Sequence, residues 1–385
     1  MSSFAKFWIA PHEVLEGHGL QLLLVDTRQL AQVPGRDKKS DPTDCEWIQR
    51  LHSCGMLRGS FRPEEAVCML RTLVRDKANL VAESGDWLRR MQKSLDQMNV
   101  RVHRAVSDLD GATGMAILRA IAGGERDAGK LAKLRDRRCS KTEQEIAEQL
   151  NGHWREDHVF SLLQALKMYD AVQERIAAYE QEILRKLGEM EREEQRGQTA
   201  PPLNNMNKAK AIKKRGQEPR RQALYRMSGV DITHIDAVAV ETVEVLLSEY
   251  GPDLSRFPME KQFVSHVTLA PRVPKSGGKP VRKKKRKSAS TRVAAALRMA
   301  ALSLRHSQTA LGAYYRKIAQ RRGGDIAVFA TARKLATLIY RLLRWGLPYV
   351  DEGAAAYENR YRQHRIGRLA ATAKELGYQL TPVTA

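Results

Sequence analysis

The chain has 385 residues, enough for two or three domains that each bury a core of their own. Its formal net charge of +22 is concentrated in a few runs of lysine and arginine, which indicates a polyanionic partner and favours nucleic acid over an acidic membrane surface. No apolar run is long enough to cross a bilayer, and the sequence does not open on a signal peptide. We therefore expect a cytoplasmic protein without a membrane partner.

Cysteines and histidines follow no metal-binding pattern. The sequence holds four cysteines without a Cys-x-x-Cys pair and ten dispersed histidines. We expect the cysteines to be reduced and mostly packed, and we expect no zinc site. The cysteines are Cys45, Cys54, Cys68 and Cys139.

The first residues have the pattern of an α/β unit. Ile9 to Glu16 can form a helix with Pro11 in its first turn, and Gly17 to Gly19 can then turn the chain. The apolar run Leu20 to Val25 suits a buried strand. The other strands of its sheet would have to come from elsewhere.

A helix is predicted to start near Asp41, and its first turn admits two interpretations. Asp41 can cap the helix, Pro42 can take the first helical position, and Asp44 can meet the helix dipole favourably. The same two carboxylates, three residues apart, can also converge on Mg²⁺, which takes few protein oxygens and completes its shell with phosphate and water.

Two long amphipathic helices are predicted, from Pro63 to about Met98 and from about His158 to Arg196. Each carries apolar residues at three-and-four spacing. This pattern predicts an antiparallel coiled-coil hairpin or a seam shared between subunits, and an intramolecular bundle is the alternative. The polar interruptions of the two seams are Lys77, Ser84, Gln173 and Glu180.

The stretches between and after these helices are rich in turn residues. Residues 108–151 have the pattern of a helical insertion broken by glycines. Residues 197–222 mix glycine, proline and asparagine with positive charge, which predicts a flexible basic linker in contact with nucleic acid. Its basic residues are Lys208, Lys210, Lys213, Lys214, Arg215, Arg220 and Arg221.

Leu224 to Tyr250 contains two apolar helical stretches around Asp236-Ala237-Val238-Ala239. A helix-hairpin-helix would place a phosphate-binding turn there. Alanines stand where glycines would make that turn easily, which argues against the motif.

A single serine in the C-terminal half lies among positive charges. Ser276 follows Lys275 and precedes Gly277-Gly278 and Lys279, and the glycines would let the backbone approach a ligand closely. We expect Lys275, Lys279 and the basic run that follows them to bind nucleic acid. We expect the same of Lys213, Lys214 and Arg215. The run comprises Arg282, Lys283, Lys284, Lys285, Arg286 and Lys287.

Ser276 itself has two interpretations. A Ser-Gly-Gly turn in a basic loop can be only a flexible contact to phosphate. The serine can instead be a nucleophile on a DNA phosphodiester, with nearby cations offsetting the charge that builds on the phosphate oxygens. Spacing alone favours the first interpretation.

The remainder is predicted to be helical. The expected helices are Thr291 to Arg305, Ser307 to Arg321, Asp325 to Trp345 and Asp351 to Leu376. The last of these carries Arg360, Arg362, Arg365 and Arg368.

Three stretches together resemble the transposases of the insertion-sequence one-ten family, also described as DEDD transposases. Phe7 to Arg36 with Ser40-Asp41-Pro42-Thr43-Asp44 looks like the end of the family's RuvC-like nuclease domain. Gly251 to Lys279 looks like its C-terminal transposase domain, and Tyr349 to Tyr378 looks like a subgroup's C-terminal extension. The likeness covers nearly the whole chain.

The resemblance implies a chemistry and a set of partners. In such proteins four acids of a ribonuclease-H-like fold bind Mg²⁺, and a serine attacks DNA to form a covalent phosphoserine. The two sites meet between subunits of a homo-oligomer, here a dimer or tetramer, and a structured guide RNA selects the DNA. Asp41 and Asp44 match the last two acids, and Ser276 matches the serine.

One departure from the family pattern concerns the first two acids. The family's first acid lies on a strand upstream of the residues here, and its second precedes an aromatic-Trp pair that corresponds to Phe7-Trp8. Met1 to Lys6 contains no acid. We therefore expect an N-terminally shortened chain with little strand transfer, and the alternative function is a basic nucleic-acid-binding protein without catalysis.

These patterns predict a mainly α-helical protein with a partial RuvC-like α/β N-terminus. The expected parts are a nuclease-domain remnant (1–60), a coiled-coil region (61–196), a basic linker (197–222), a transposase domain (223–346) and a helical extension (347–385).

Overall fold

The computed structural model describes residues 8–25, 41–57, 59–270, 275–276, 279–280, 291–379 and 381. The chain divides into two compact units, Met1–Pro63 and Glu64–Ala385. The described part is mainly α-helical, as the sequence predicts. None of its helices combines the length and apolar character that a bilayer crossing would need.

The first unit contains α1 (Ile9–Gly17) and α2 (Asp41–Ser53). Gly19, with φ of +77°, turns the chain after α1, as predicted. The run Leu20 to Val25 differs from the buried strand expected there, because among the described residues it forms a single isolated antiparallel bridge, Val25 to Gly59. Leu20 remains 54% exposed, so no sheet covers this run within the described residues of the unit.

The second unit is helical apart from one short hairpin. Its helices up to the middle of the chain are α3 (Glu65–Gln97), α4 (Val102–Ala105), α5 (Ala112–Ala122), α6 (Ala128–Ala132), α7 (Glu143–Leu150), α8 (Glu156–Glu189), α9 (Met206–Lys214) and α10 (Glu218–Ser228). The later elements are α11 (Val240–Tyr250), α12 (Glu260–His266), β1 (Lys275–Ser276), β2 (Lys279–Pro280), α13 (Arg292–Ser303), α14 (Ala310–Arg322), α15 (Gly324–Trp345) and α16 (Gly353–Glu375). Single 3₁₀ turns lie at Glu193–Gln195, Ile232–His234 and Leu304–His306.

The two long helices, α3 and α8, pack against each other along most of their length and form an antiparallel hairpin within one chain. Their register is set by the polar residues that interrupt the two seams. The Gln173 amide of α8 donates a hydrogen bond to the Ser84 hydroxyl of α3 at 3.3 Å. One heptad towards the open end, Lys77 and Glu180 meet the same buried charge cluster. The seam that the sequence would also allow between subunits is therefore filled from within the chain.

That charge cluster joins the open end of the hairpin to the C-terminal helices. Glu244 of α11 is 1% exposed and pairs with Lys77. Arg220 of α10 lies 3.3 Å from the Glu244 carboxylate and 2.6 Å from that of Glu180. Buried charges cost several kcal/mol each unless they are paired, so this cluster tolerates only the arrangement in which every member has a partner.

The closed end of the hairpin carries the insertion predicted at 108–151. Met91 and Leu95 of α3 and Leu162 of α8 share one buried core with α4, α5, α6 and α7. A complete capping box starts α7, because Thr142 and Glu145 satisfy each other's backbone N–H groups. The insertion is thus a small helical cap around the end of the hairpin.

The stretch predicted as a flexible basic linker is mostly folded. Asn205 caps the start of α9, because its side chain accepts from the Lys208 N–H. Gly229, with φ of +77°, caps the end of α10. Lys208 and Arg221 are directed inward rather than towards solvent. Composition predicted flexibility here because it could not show that Asp231 would pair with Arg221, or that backbone carbonyls would accept from Lys208.

Candidate catalytic and nucleic-acid-binding site

The segment that carries Ser276, residues 268–290, leaves and re-enters the helical body at one place, and we call it the serine segment. Thr268, with φ of +67°, ends α12 by a sharp turn, and the Leu269 N–H donates to the Val264 carbonyl at 3.0 Å. The Thr291 hydroxyl, which caps α13, donates to the Val267 carbonyl at 3.0 Å. This hydrogen bond joins the two ends of the segment, so the chain departs from the domain and returns to it at neighbouring points.

Ser276 lies in a hairpin within the serine segment. β1 and β2 pair antiparallel, with Lys275 opposite Pro280 and Ser276 opposite Lys279. Directly opposed residues of antiparallel strands have Cα atoms about 4.5–5.5 Å apart. The structure thus brings Ser276 and Lys279 to one register position, although three residues separate them along the chain.

An aromatic core supports the base of the serine segment. The fully buried ring of Phe263 in α12 lies 5.4 Å from the Tyr250 ring and 5.8 Å from the Tyr340 ring. Edge-on and tilted ring contacts of this kind add to the burial energy. The Tyr340 hydroxyl donates to the Phe257 carbonyl, which fixes the loop before α12 on α15.

His266 is the residue near this site that the sequence did not single out. It ends α12 and its ring lies 5.1 Å from that of Phe257. Burial, with a smaller contribution from the positive charge of Arg256, lowers the pKa of His266 below its usual value. A neutral imidazole is therefore favoured at pH 7. Only its packing reveals it, because ring contacts are not readable from spacing.

The predicted nucleic-acid contacts divide into two groups. Lys213 and Lys214, in the last turn of α9, and Arg215 after it are exposed, as a phosphate contact requires. The run Arg282 to Lys287 lies outside the described residues.

Asp41 and Asp44 occupy the first turn of α2, which begins one residue earlier than predicted. The Asp44 side chain is partly buried. In the described part of the chain, no group of three or more His, Cys, Asp or Glu side chains comes together as a metal site would require. The metal-binding role of Asp41 and Asp44 therefore stays a prediction from the sequence.

The loop Asp236 to Ala239 has part of the geometry of a phosphate-binding turn. Ala237 adopts φ of +64°, a conformation that costs a residue with a side chain about 1 kcal/mol or more. Burial and then the charge of Asp351 raise the pKa of Asp236. A carboxyl beside the turn disfavours a phosphate there, in agreement with the sequence argument against a helix-hairpin-helix.

Two family models match the chain. Residues 231–316, which include β1, β2 and the aromatic residues Tyr250, Phe257 and Phe263, match the model of the transposase IS116/IS110/IS902 family. Residues 1–100 match a transposase model of the DEDD type from the IS110 group, a type that uses a divalent metal ion. A search of curated proteins found no match. The two matched regions contain Ser276 and the Asp41–Asp44 pair respectively, and the chain is a transposase of the IS110 family, an enzyme that recombines the DNA of an insertion sequence.

Proposed function

We propose that the protein cuts and joins insertion-sequence DNA with Ser276 as the nucleophile. The observation that carries the proposal is the hairpin, because it holds Ser276 opposite Lys279 in the matched transposase region. A lysine at that register position can offset negative charge on a phosphate that reaches the serine. The folded helices at both ends would hold the serine segment in place.

The step is a transesterification. The Ser276 oxygen forms a bond to phosphorus, and the bond between phosphorus and a deoxyribose oxygen breaks. The hydroxyl proton passes to a base, and the departing oxygen gains a proton to become a free hydroxyl. The phosphodiester energy is retained in the phosphoserine, so the joining step can run as the reverse reaction on another strand.

Asp41 and Asp44 are the residues that we propose hold Mg²⁺. Two hard carboxylate oxygens from one helix turn fit an ion that takes one or two carboxylates and completes its shell with phosphate oxygens. A bound Mg²⁺ would neutralise charge on the scissile phosphate. Residues 1–60, which contain this turn, are in our proposal part of a RuvC-like nuclease domain, followed by the coiled-coil region (61–196), the basic stretch (197–222), the transposase domain (223–346) and the extension (347–385).

The partners that we propose are DNA, a structured guide RNA and further copies of the chain. The charge of +22 supports a polyanionic partner, and the exposed cations at the end of α9 add basic surface far along the chain from the serine segment. Assembly into a dimer or tetramer is what the resemblance to the family's transposases implies.

A covalent intermediate tests the nucleophile. A donor DNA with a nick next to the cleavage site should trap an adduct that survives denaturation, and mass spectrometry should place the nucleotide on Ser276. Ser276→Ala should abolish the adduct, whereas Ser288→Ala, a control serine in the same segment, should retain it. An adduct that persists in Ser276→Ala would overturn the assignment.

A further inference from the structure

A basic groove lies between α14 and α16, away from the serine segment along the chain. It has a volume of about 770 Å³, within the range of sites that hold a small ligand or part of a larger one. Its polar lining comes from both helices. The residues that carry the argument are Lys317, Arg321, Tyr361, Arg362, Arg365 and Arg368.

The positive charge of the groove is not neutralised by the protein. Arg362, Arg365 and Arg368 are exposed, and in the described part of the chain no carboxylate lies within 4 Å of their guanidinium nitrogens. Glu358 is the single acid among the described lining residues. Five cations around one acid repel one another, which costs free energy in the free protein, and a polyanion in the groove would recover it.

An aromatic ring lies in the same groove. The Lys317 ammonium stands 2.7 Å from the centre of the Tyr361 ring, and the Arg321 guanidinium is 3.5 Å from its hydroxyl. A base that stacks on this face of Tyr361 displaces the Lys317 ammonium, and a long flexible lysine beside the ring can then contact the adjoining phosphate. Basic grooves with an aromatic platform are the usual means of holding single-stranded nucleic acid.

Dimensions favour one strand over two. Packed helices have axes about 8–10 Å apart, so the groove between them is too narrow for a duplex, whose major groove alone is about 12 Å wide. Arg362, Arg365 and Arg368 are spaced by about 4.5 Å along the axis of α16. This spacing exceeds the roughly 3.4 Å rise of a stacked strand and suits one that is partly unstacked.

We propose that the groove between α14 and α16 binds a single strand of DNA, with Tyr361 stacked on a base and the arginines of α16 on its phosphates. The choice of DNA rests on the function as a transposase, since strand exchange exposes single strands. The binding itself requires neither Ser276 nor a metal ion.

Binding of a fluorescent oligothymidylate, measured by anisotropy over a range of salt without Mg²⁺, tests the phosphate contacts. Arg365→Gln combined with Arg368→Gln should lower the slope of log affinity against log salt by about 0.7 per phosphate that is no longer neutralised, so by about 1.4. The matched control is Arg360→Gln combined with Lys374→Gln, which removes the same charge from α16 outside the groove. Equal slopes for the two double variants would overturn the proposal.

The stacking contact is tested by Tyr361→Leu and by cross-linking. Loss of the ring should weaken binding roughly 5- to 150-fold. An oligonucleotide carrying 5-iododeoxyuridine should cross-link under light to the peptide that contains Tyr361, a result that does not depend on the variant folding. Cross-links confined to other peptides would overturn the assignment, as would tighter groove-dependent binding of a duplex or of oligouridylate.

These outcomes are separable from those that concern the nucleophile. Ser276→Ala should bind the oligonucleotide like the unchanged protein. A variant that loses the covalent adduct but still binds the oligonucleotide has lost the proposed chemistry and not the groove. A variant that loses oligonucleotide binding but still forms the adduct on nicked duplex has lost the groove and not the chemistry.

Discussion

The basic stretch of α9 and α10 and the basic helix α16 are similar in sequence and opposite in structure. In the first, Arg221 is buried against Asp231 and Glu218, and Arg220 is shared between Glu180 and Glu244. In α16, Arg362, Arg365 and Arg368 stay in solvent, and in the described part of the chain none of them forms a salt bridge. The comparison teaches that a run of cations indicates a polyanionic partner only where the folded chain supplies no carboxylates of its own.

The difference predicts that the buried pair is important for stability. Asp231→Ala leaves Arg221 charged in the interior, which should lower the free energy of unfolding by about 3–5 kcal/mol. Urea unfolding followed by circular dichroism measures this decrease. The control is Glu352→Ala, which removes the partner of exposed Arg360 and should cost less than about 1 kcal/mol. Similar decreases in both variants would mean that the two regions do not differ as described.

Titration of Lys208 sharpens the comparison further. Burial lowers the pKa of this lysine to about 8, while its ammonium donates to the carbonyls of Thr233 and Ile235, the latter at 3.0 Å. Between pH 8 and the usual lysine pKa the unfolded chain holds a proton that the folded chain has released, so stability relative to Lys208→Met should rise with pH. The slope should approach about 1.4 kcal/mol per pH unit.

Below pH 8 both states hold the proton and the difference should be constant. Unfolding free energies of the two proteins at pH 7, 8, 9 and 10 measure it, and the other titrating groups cancel in the difference. Parallel curves across this range would contradict a buried lysine.

The smallest expected effect concerns the exposed cations that end α9. Replacing Lys213, Lys214 and Arg215 with Gln should reduce the salt slope of duplex DNA binding by up to about 2.7, at about 0.9 per phosphate contact. The control replaces three arginines that already pair with a nearby carboxylate, Arg89, Arg155 and Arg185, with Gln. The control should change the slope little. A larger change of the salt slope in the control would show that unpaired charge does not decide which cations bind DNA.

The two long helices and the C-terminal helices could be predicted from the sequence because their signals are local. The two seams predicted α3 and α8, and their polar interruptions mark the register that the structure shows, with Ser84 bonded to Gln173. The C-terminal helices ended close to the predicted glycines, since a left-handed turn such as Gly346, with φ of +63°, favours glycine.

Other features required the tertiary structure. Spacing placed Ser276 among cations, but strand pairing brought Lys279 opposite to it. The run Leu20 to Val25 is as apolar as a buried strand, yet nothing in its own residues supplies neighbouring strands. Strand pairs and core contacts join residues that are distant along the chain, and no local pattern specifies them.

The sequence by itself determined the two long helices and the C-terminal helices, though not α9 and α10, and it showed that the chain carries more positive charge than its own acids can balance. Only the tertiary structure decided where that charge lies. Glu244 and Asp231 neutralise Arg220 and Arg221 in the interior, while Arg362, Arg365 and Arg368 lie in solvent. The physical reason is that helix formation depends on neighbours within a few residues, whereas the cost of a charge depends on burial and on carboxylates brought from other helices.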